Sequence, residues 1–236
     1  MSRYFSVAID GPSGAGKSTL ARRCAEAFQF LHIDTGAIYR AVGLAAGRAG
    51  TDRRNESEVL KLLSSTDIDI CFNENGEQRM LLNGEDVTEA IRQPEVSIYA
   101  SDVSALPGVR SYLMEMQRSF ARTHNVIMDG RDIGTVVLPD ADLKIFLTAS
   151  AEVRAERRFR ELQEKGVTTD YDSVLSDIRY RDEQDSTRAA APLLKADDAV
   201  LLDTTELSFD ESFAAISQLI LQYRWLADSE AECSNS

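Results

Sequence analysis

Residues 4–10 read Tyr-Phe-Ser-Val-Ala-Ile-Asp, an apolar and β-branched run that turns into the glycines Gly11, Gly14 and Gly16; apolar positions then return at helical spacing over residues 18–28. The pattern predicts strand, loop, helix. Comparable short runs recur at residues 31–33, 125–129, 143–147 and 199–203, separated by stretches rich in Ala, Leu, Glu and Arg. Strands alternating with helices imply a parallel sheet covered on both faces. Residues 67–87 break this rhythm. There Ile68 to Phe72 alternates, Asn75-Gly76 supplies a hairpin turn, and Arg79 to Leu82 is again extended before a second turn at Asn83-Gly84. This predicts a small antiparallel insert, preceded by a polar linker over residues 51–57 and followed by helix from about Glu89. From residue 228 the chain is acidic and polar without periodicity, which reads as a frayed tail.

With 236 residues, 43% of them hydrophobic, the chain suits one α/β domain carrying small insertions. No basic segment, long apolar stretch or small-residue cleavage site precedes the first strand, so the expectation is a soluble cytoplasmic protein with no membrane partner. Three cysteines without C-x-x-C spacing fit a reducing compartment and argue against a disulfide framework or a zinc site. A net charge of −13 opposes binding to polymeric nucleic acid, whose phosphates need clustered cations. The basic residues are nevertheless 21 Arg and 5 Lys, and the planar guanidinium matches phosphate oxygens in pairs, so a small phosphate-rich ligand stays open.

Gly11-Pro12-Ser13-Gly14-Ala15-Gly16-Lys17-Ser18 fits G-x-x-x-x-G-K-[ST] between an apolar strand and a helix, the context that makes the motif specific. Glycines let the backbone wrap a phosphate, so that successive N–H groups and the positive end of the helix point at it. Lys17 adds a mobile charge shared by the β- and γ-phosphates of ATP, and the Ser18 hydroxyl can take one position on Mg²⁺. Thr19 completes the ATP-binding stretch in the first helical turn.

Switches, motors and kinases share this loop, so the acceptor must be read from other residues. Asp129-Gly130-Arg131-Asp132 ends a predicted strand at its carboxyl end, the edge where open α/β sheets bind ligands. There Asp129 can reach Mg²⁺ through water and Arg131 can face phosphates. Asp34 or Thr35 can cap a helix, which does not require Arg40; that residue reads as a phosphate clamp, with a surface role as the alternative. Arg154, Arg157 and Arg158 share one helix face, either as a lid closing over phosphates or as a solvated face neutralised by Glu152, Glu156 and Glu161. Arg181, Asp185 and Arg188 also share a face, where an intrahelical ion pair competes with a ligand role. His32 and His124 are isolated and read as structural. An anionic acceptor needs positioning and charge neutralisation more than a general base, so an arginine-rich, histidine-poor site is consistent with phosphoryl transfer.

The segments I-D-G-P-S-G-A-G-K-S, D-T-G-A-I-Y-R, N-G-E-D-V-T-E-A-I-R, D-G-R-D-I-G-T-V-V and R-D-E-Q-D-S-T-R-A-A-A-P-L closely resemble bacterial cytidylate kinases, in family order from residue 7 to about residue 194. The resemblance implies a P-loop kinase core with a five-stranded parallel sheet flanked by helices (residues 1–40 and 104–226). It also implies a CMP-binding subdomain containing the antiparallel insert (41–103) and a short lid (154–166); the acidic tail (227–236) has no counterpart in the resemblance. Transfer from ATP, with Mg²⁺, to CMP or dCMP by a monomer follows from the same likeness. Carried over by position, Arg40, Arg131 and Arg181 engage the CMP phosphate or the phosphoryl group in flight, and Asp185 meets the sugar. Ser101, Arg110, Asp132 and Arg188 surround the cytosine and its ribose. Thr35 keeps a hydroxyl in the same acceptor set, and the lid brings Arg157 to ATP and Arg158 to the reacting phosphates, so the catalytic set is Lys17, Arg131, Arg158 and Arg181. On the residues alone, a P-loop kinase for UMP, AMP or a small hydroxyl acceptor stays open, as does a nucleotide-dependent switch, although no guanine-reading N-K-x-D element stands out.

Overall fold

A computed structural model of the protein describes residues 4–234. The chain opens with β1 (Ser6–Asp10), and the phosphate-loop sequence leads into α1 (Lys17–Phe28). Next come β2 (Leu31–Asp34) and α2 (Thr35–Ala49), which starts at once because the Asp34 side chain accepts the Ala37 N–H and caps it. Asn55 caps α3 (Glu56–Leu63) in the same way, so the polar linker is shorter than the expected 51–57.

The insert is β3 (Ile68–Phe72), β4 (Gln78–Leu82) and the short β5 (Glu85–Asp86), an antiparallel sheet in that order. Pairing of Ile68 with Leu82 and of Phe72 with Gln78 turns Ile68, Ile70, Met80 and Leu82 inward. Asn83 and Gly84 have φ of 51° and 80°, the left-handed pair that a tight two-residue hairpin demands. The helix expected from about Glu89 is instead a 3₁₀ turn at Ala90–Arg92 followed by α4 (Pro94–Ser104), because Pro94 opens a new first turn more readily than it continues an old one.

After α5 (Pro107–Thr123) come β6 (Val126–Gly130), a π-type turn at Ile133–Val137, and β7 (Leu143–Thr148). Then α6 (Ala151–Glu164) and α7 (Tyr171–Thr187) pack on each other through Ala155, Val174 and Ile178, and β8 (Val200–Asp203) leads into α8 (Phe209–Ser234). The expected lid stretch 154–166 is thus mostly one helix of a helical pair, ended at Gly166 with φ 72°. The tail expected to fray from residue 227 is helical as far as Ser234, and residues 235–236 lie outside the described residues. Its Ala and Glu residues favour helix intrinsically, without an apolar period to announce it.

All five core strands are parallel, in the order β2-β6-β1-β7-β8. Every residue of β1 and β6 is buried, as expected of central strands with helices on both faces. Val7, Ile9, Ile145 and Leu147 pack on α1 and α8 through Leu20, Cys24, Ile216 and Ile220. Ala8, Ile33 and Met128 face the other way, onto Ile133 and Val137. A further core joins α2, the insert, α4 and α5 around Val42, Met80, Val96 and Leu113. Here α4 lies close against α2: a Cβ on Gly43 would meet Tyr99 Cβ at 2.7 Å, and one on Gly47 would meet the Tyr99 ring at 2.8 Å. Among the described residues no helix is long and apolar enough to cross a membrane.

Candidate active site

A cavity of about 700 Å³ opens at the carboxyl ends of the parallel strands, between the phosphate loop, α2, α4 and the α6–α7 pair. Its floor is the loop after β1. Gly11 has φ 149°, and a Cβ there would lie 1.9 Å from the Leu147 carbonyl oxygen, so a side chain is incompatible with the loop's seat on β7. Gly14 and Gly16 are also left-handed, and α1 starts with no side-chain cap, which leaves its first N–H groups for an anion. Ser13 to Thr19 line the cavity, with Gly11 and Pro12 behind them; the Pro12 carbonyl accepts from Lys17 Nζ at 2.8 Å. Lys17 is buried, and burial, reinforced by the Arg131 charge, pulls its amine down to about 7.

At the end of β6, Asp129 is held on three sides. Ser18 Oγ donates to Oδ2 at 2.7 Å, His32 Nε2 lies 2.7 Å from Oδ1, and Thr35 Oγ1 donates to the backbone carbonyl at 2.8 Å. Asp10, which the motif reading passes over, accepts the Ile133 and Gly134 N–H groups at 2.8 and 2.7 Å and so ties the end of β1 to the turn after Asp132. Burial pushes its carboxyl up to about 6 against those two hydrogen bonds.

On the acceptor side Arg40, Arg110 and Arg131 are each leashed to a carboxylate. Arg40 donates to Asp34 at 2.7 Å. Burial works to raise the Asp34 carboxyl, but the Arg40 and His32 charges outweigh it and hold the group below the usual range. Arg110, buried over the Tyr39 ring, pairs with Asp132 and donates to the Ser104 carbonyl at 3.1 Å. Arg131 Nε donates to Asp185 at 2.6 Å. Arg188 reaches only to 3.8 Å from Asp132 and 3.9 Å from Asp185, and its buried Nη2 has no hydrogen-bond partner. Burial lowers the guanidinium pKa of both Arg181 and Arg188.

Every expected site residue from Ser13 onward lines this one cavity: Thr35, Arg40, Ser101, Arg110, Asp129, Arg131, Asp132, Arg157, Arg158, Arg181, Asp185 and Arg188 all border it. Arg157 donates to the Thr204 carbonyl at 2.8 Å on the donor side, and Arg158 pairs with Glu161 at 2.8 Å. The shared face with Arg154 is corrected. Arg154 is buried, grips Asp182 at 2.9 and 2.7 Å, and donates to the carbonyls of Ser13 at 3.0 Å and Ala149 at 2.8 Å, so it joins the phosphate loop to the α6–α7 pair. Reading the sequence also misses Tyr39, Ser97, Ser104 and the donor-side wall at Thr204, Leu207, Ser208, Phe209 and Ser212. Only Asp10 carries a legible signal, an acid at the end of a fully buried, mostly apolar strand. Among the described residues no three His, Cys, Asp or Glu gather as a metal cage; a metal carried on phosphates needs only one or two protein groups, which Ser18 and Asp129 fit.

A phosphate loop facing a set of arginines across one cavity, with Arg157 and Arg158 of α6 on its border, is the arrangement of a P-loop kinase whose acceptor is itself a phosphate, the nucleoside monophosphate kinase class. The family model described as Cytidylate kinase matches residues 7–222. Curated relatives named cytidylate kinase are 52% identical in Caldicellulosiruptor bescii (92% of this chain, 96% of the relative) and 51% identical in Carboxydothermus hydrogenoformans (91% and 96%). Another, in Syntrophotalea carbinolica, is 45% identical over 98% of both chains. The chain belongs to the cytidylate kinase family.

Proposed function

We propose that the protein transfers the γ-phosphoryl group of ATP to CMP or dCMP, giving ADP and CDP or dCDP, in pyrimidine nucleotide metabolism. The observation that carries this reading is the buried Arg110–Asp132 pair with Arg188 beside it in the wall of the cavity. Cytosine presents an amine donor beside N3 and O2 acceptors, so Asp132 or Ser101 accepts from it while Arg110 or Arg188 donates. Arg40 and Arg131 exchange part of their hold on Asp34 and Asp185 for the acceptor phosphate, and Asp185 turns to the sugar. Lys17, Arg158 and Arg181 surround the group in flight, neutralising charge where it develops. The acceptor oxygen is already anionic, so no side chain has to remove a proton. Arg157 steadies ATP against the Thr204 side, and closure of the α6–α7 pair excludes water that would otherwise compete as acceptor.

Mg²⁺ is the expected metal; Ser18 would hold it directly and Asp129 through water, and it would supply charge neutralisation on the β- and γ-phosphates. The core of α2, the insert and α4 supports an acceptor subdomain over 41–103, with α5 packed on the same core through Val109 and Leu113. We take the protein to work as a monomer, as the family likeness implies, and in the cytoplasm, as its cysteine use suggests; light scattering of the eluted protein tests the first point. An ADP-release assay across nucleoside monophosphates, with and without Mg²⁺, tests the whole. CMP and dCMP are expected to lead, whereas preference for AMP or UMP, or nucleotide binding without acceptor-dependent turnover, overturns the assignment.

A further inference from the structure

His32 has no part in the transfer scheme above, yet its Nε2 lies 2.7 Å from Asp129 Oδ1 and its side chain is only 12% exposed. An ionised carboxylate only accepts, so this contact places the imidazole proton on Nε2. The other oxygen of Asp129 takes the Ser18 hydroxyl at 2.7 Å, and the backbone carbonyl takes Thr35. The carboxylate is therefore pinned at both oxygens, its plane fixed by one donor from the phosphate loop and one from β2. Two oxygens offer about four lone-pair positions, and two donors leave roughly two for metal-bound water.

We propose that His32 is a positioning residue of the phosphoryl-transfer site: by holding Oδ1 it aims the remaining Asp129 lone pairs at the water shell of the nucleotide-bound divalent metal. The inference rests on Asp129 serving the metal. Without the imidazole, rotation of the carboxylate about its Cβ–Cγ bond is restrained by Ser18 alone, and Ser18 is itself the group that turns toward the metal. The β2–β6 register, with Ile33 opposite Met128 and His32 opposite Ile127, keeps the two side chains within reach.

Calorimetric titration of the full-length protein with β,γ-imido-ATP, with and without Mn²⁺, tests this. In wild type Mn²⁺ strengthens analogue binding. His32→Leu, and His32→Asn whose amide is too short to reach, are expected to lose about tenfold of that metal-dependent gain, the low end for outer-shell partners. His32→Gln puts an N–H where Nε2 was and is expected to keep the gain within about twofold. Metal-free analogue affinity should stay equal in all of them, which separates misaimed metal ligation from misfolding; if the Leu variant loses metal-free binding, the polar Asn variant carries the comparison. A full metal gain in both His32→Leu and His32→Asn, or a loss in His32→Gln equal to theirs, overturns the proposal. Asp129→Asn distinguishes the reading beneath it: a full gain there refutes the metal role of Asp129, whereas a loss there beside intact His32 variants refutes His32 alone.

Discussion

Lys17 gives the most quantitative expectation. Its amine is buried, hydrogen-bonded to the Pro12 carbonyl and lowered from 10.5 to about 7, first by desolvation and then by the Arg131 charge. At pH 8 such a group is about nine-tenths neutral, at pH 7 about half and at pH 6 about one-tenth. The β- and γ-phosphates bring charge into direct contact with it. Raising the amine by only two units, an interaction of about 2.7 kcal/mol, makes it about nine-tenths protonated at pH 8, and charge-assisted contacts in a buried site supply that much. ATP binding at pH 8, where the nucleotide phosphates are already ionised, should therefore take up approaching one proton per site, and at pH 6 about one-tenth. Calorimetry at fixed pH in buffers of different ionisation enthalpy reads this number as a slope. The slope should vanish in Lys17→Met, which keeps much of the volume and lacks the amine. A slope near zero in wild type at pH 8 would refute the reasoning, because it would mean the lysine keeps its proton in the nucleotide-free site. Stability carries the same signature. Between about 7 and 10.5 the unfolded chain holds a proton on this amine that the folded chain does not, so the Lys17 contribution makes the nucleotide-free protein more stable as pH rises through that window.

Three further substitutions test other parts of the site. Arg154→Met abandons two backbone carbonyls and Asp182, which is partly solvated; it should cost about 2–4 kcal/mol and lower the melting temperature by roughly 5–15 °C, with a rise in KM for ATP because Ser13 loses its anchor. An unchanged melting curve would refute the bridging role. Gly43→Ala forces a methyl against Tyr99 and the Ala100 amide at 2.7–2.9 Å. It should cost about 1–3 kcal/mol in denaturant unfolding and raise KM for CMP through displacement of α4; normal stability would show that α2 and α4 are less tightly packed. Asp132→Asn weakens the hold on Arg110 and removes an acceptor facing the base, so steady-state kinetics should show KM for CMP up by about tenfold or more with KM for ATP unchanged. An equal rise in both would argue against a base-binding role.

The core was legible because parallel strands buried on both faces announce themselves as apolar runs, and the phosphate loop because its glycines have no substitute: at Gly11 the carbonyl of Leu147 occupies the place of any Cβ. Asn83-Gly84 likewise wrote its hairpin into two residues. What could not be read was set by three-dimensional context. Arg154, Arg157 and Arg158 are equivalent on a helical wheel, and only the position of α7 and Asp182 decides that the first turns inward. His32 looked isolated because its partner lies 97 residues away, across the β2–β6 pairing. Gly43 and Gly47 sit unremarked in α2 until Tyr99 fills the space they leave. The cavity wall from Thr204 to Ser212 has no motif; it becomes a wall because β8 delivers it beside Arg157 of α6.

The leashing of the cleft arginines has a consequence for how a chain of net charge −13 admits two anions. Arg40, Arg110, Arg131 and Arg158 already hold Asp34, Asp132, Asp185 and Glu161, while Lys17, Arg157, Arg181 and Arg188 leave the cleft with more cations than carboxylates. The cleft is thus a positive spot of short range within an acidic chain, and a nucleotide that enters must also swap places with carboxylates at contact. Salt screens the outer repulsion and the inner attraction together, so the two effects on binding oppose each other as ionic strength rises.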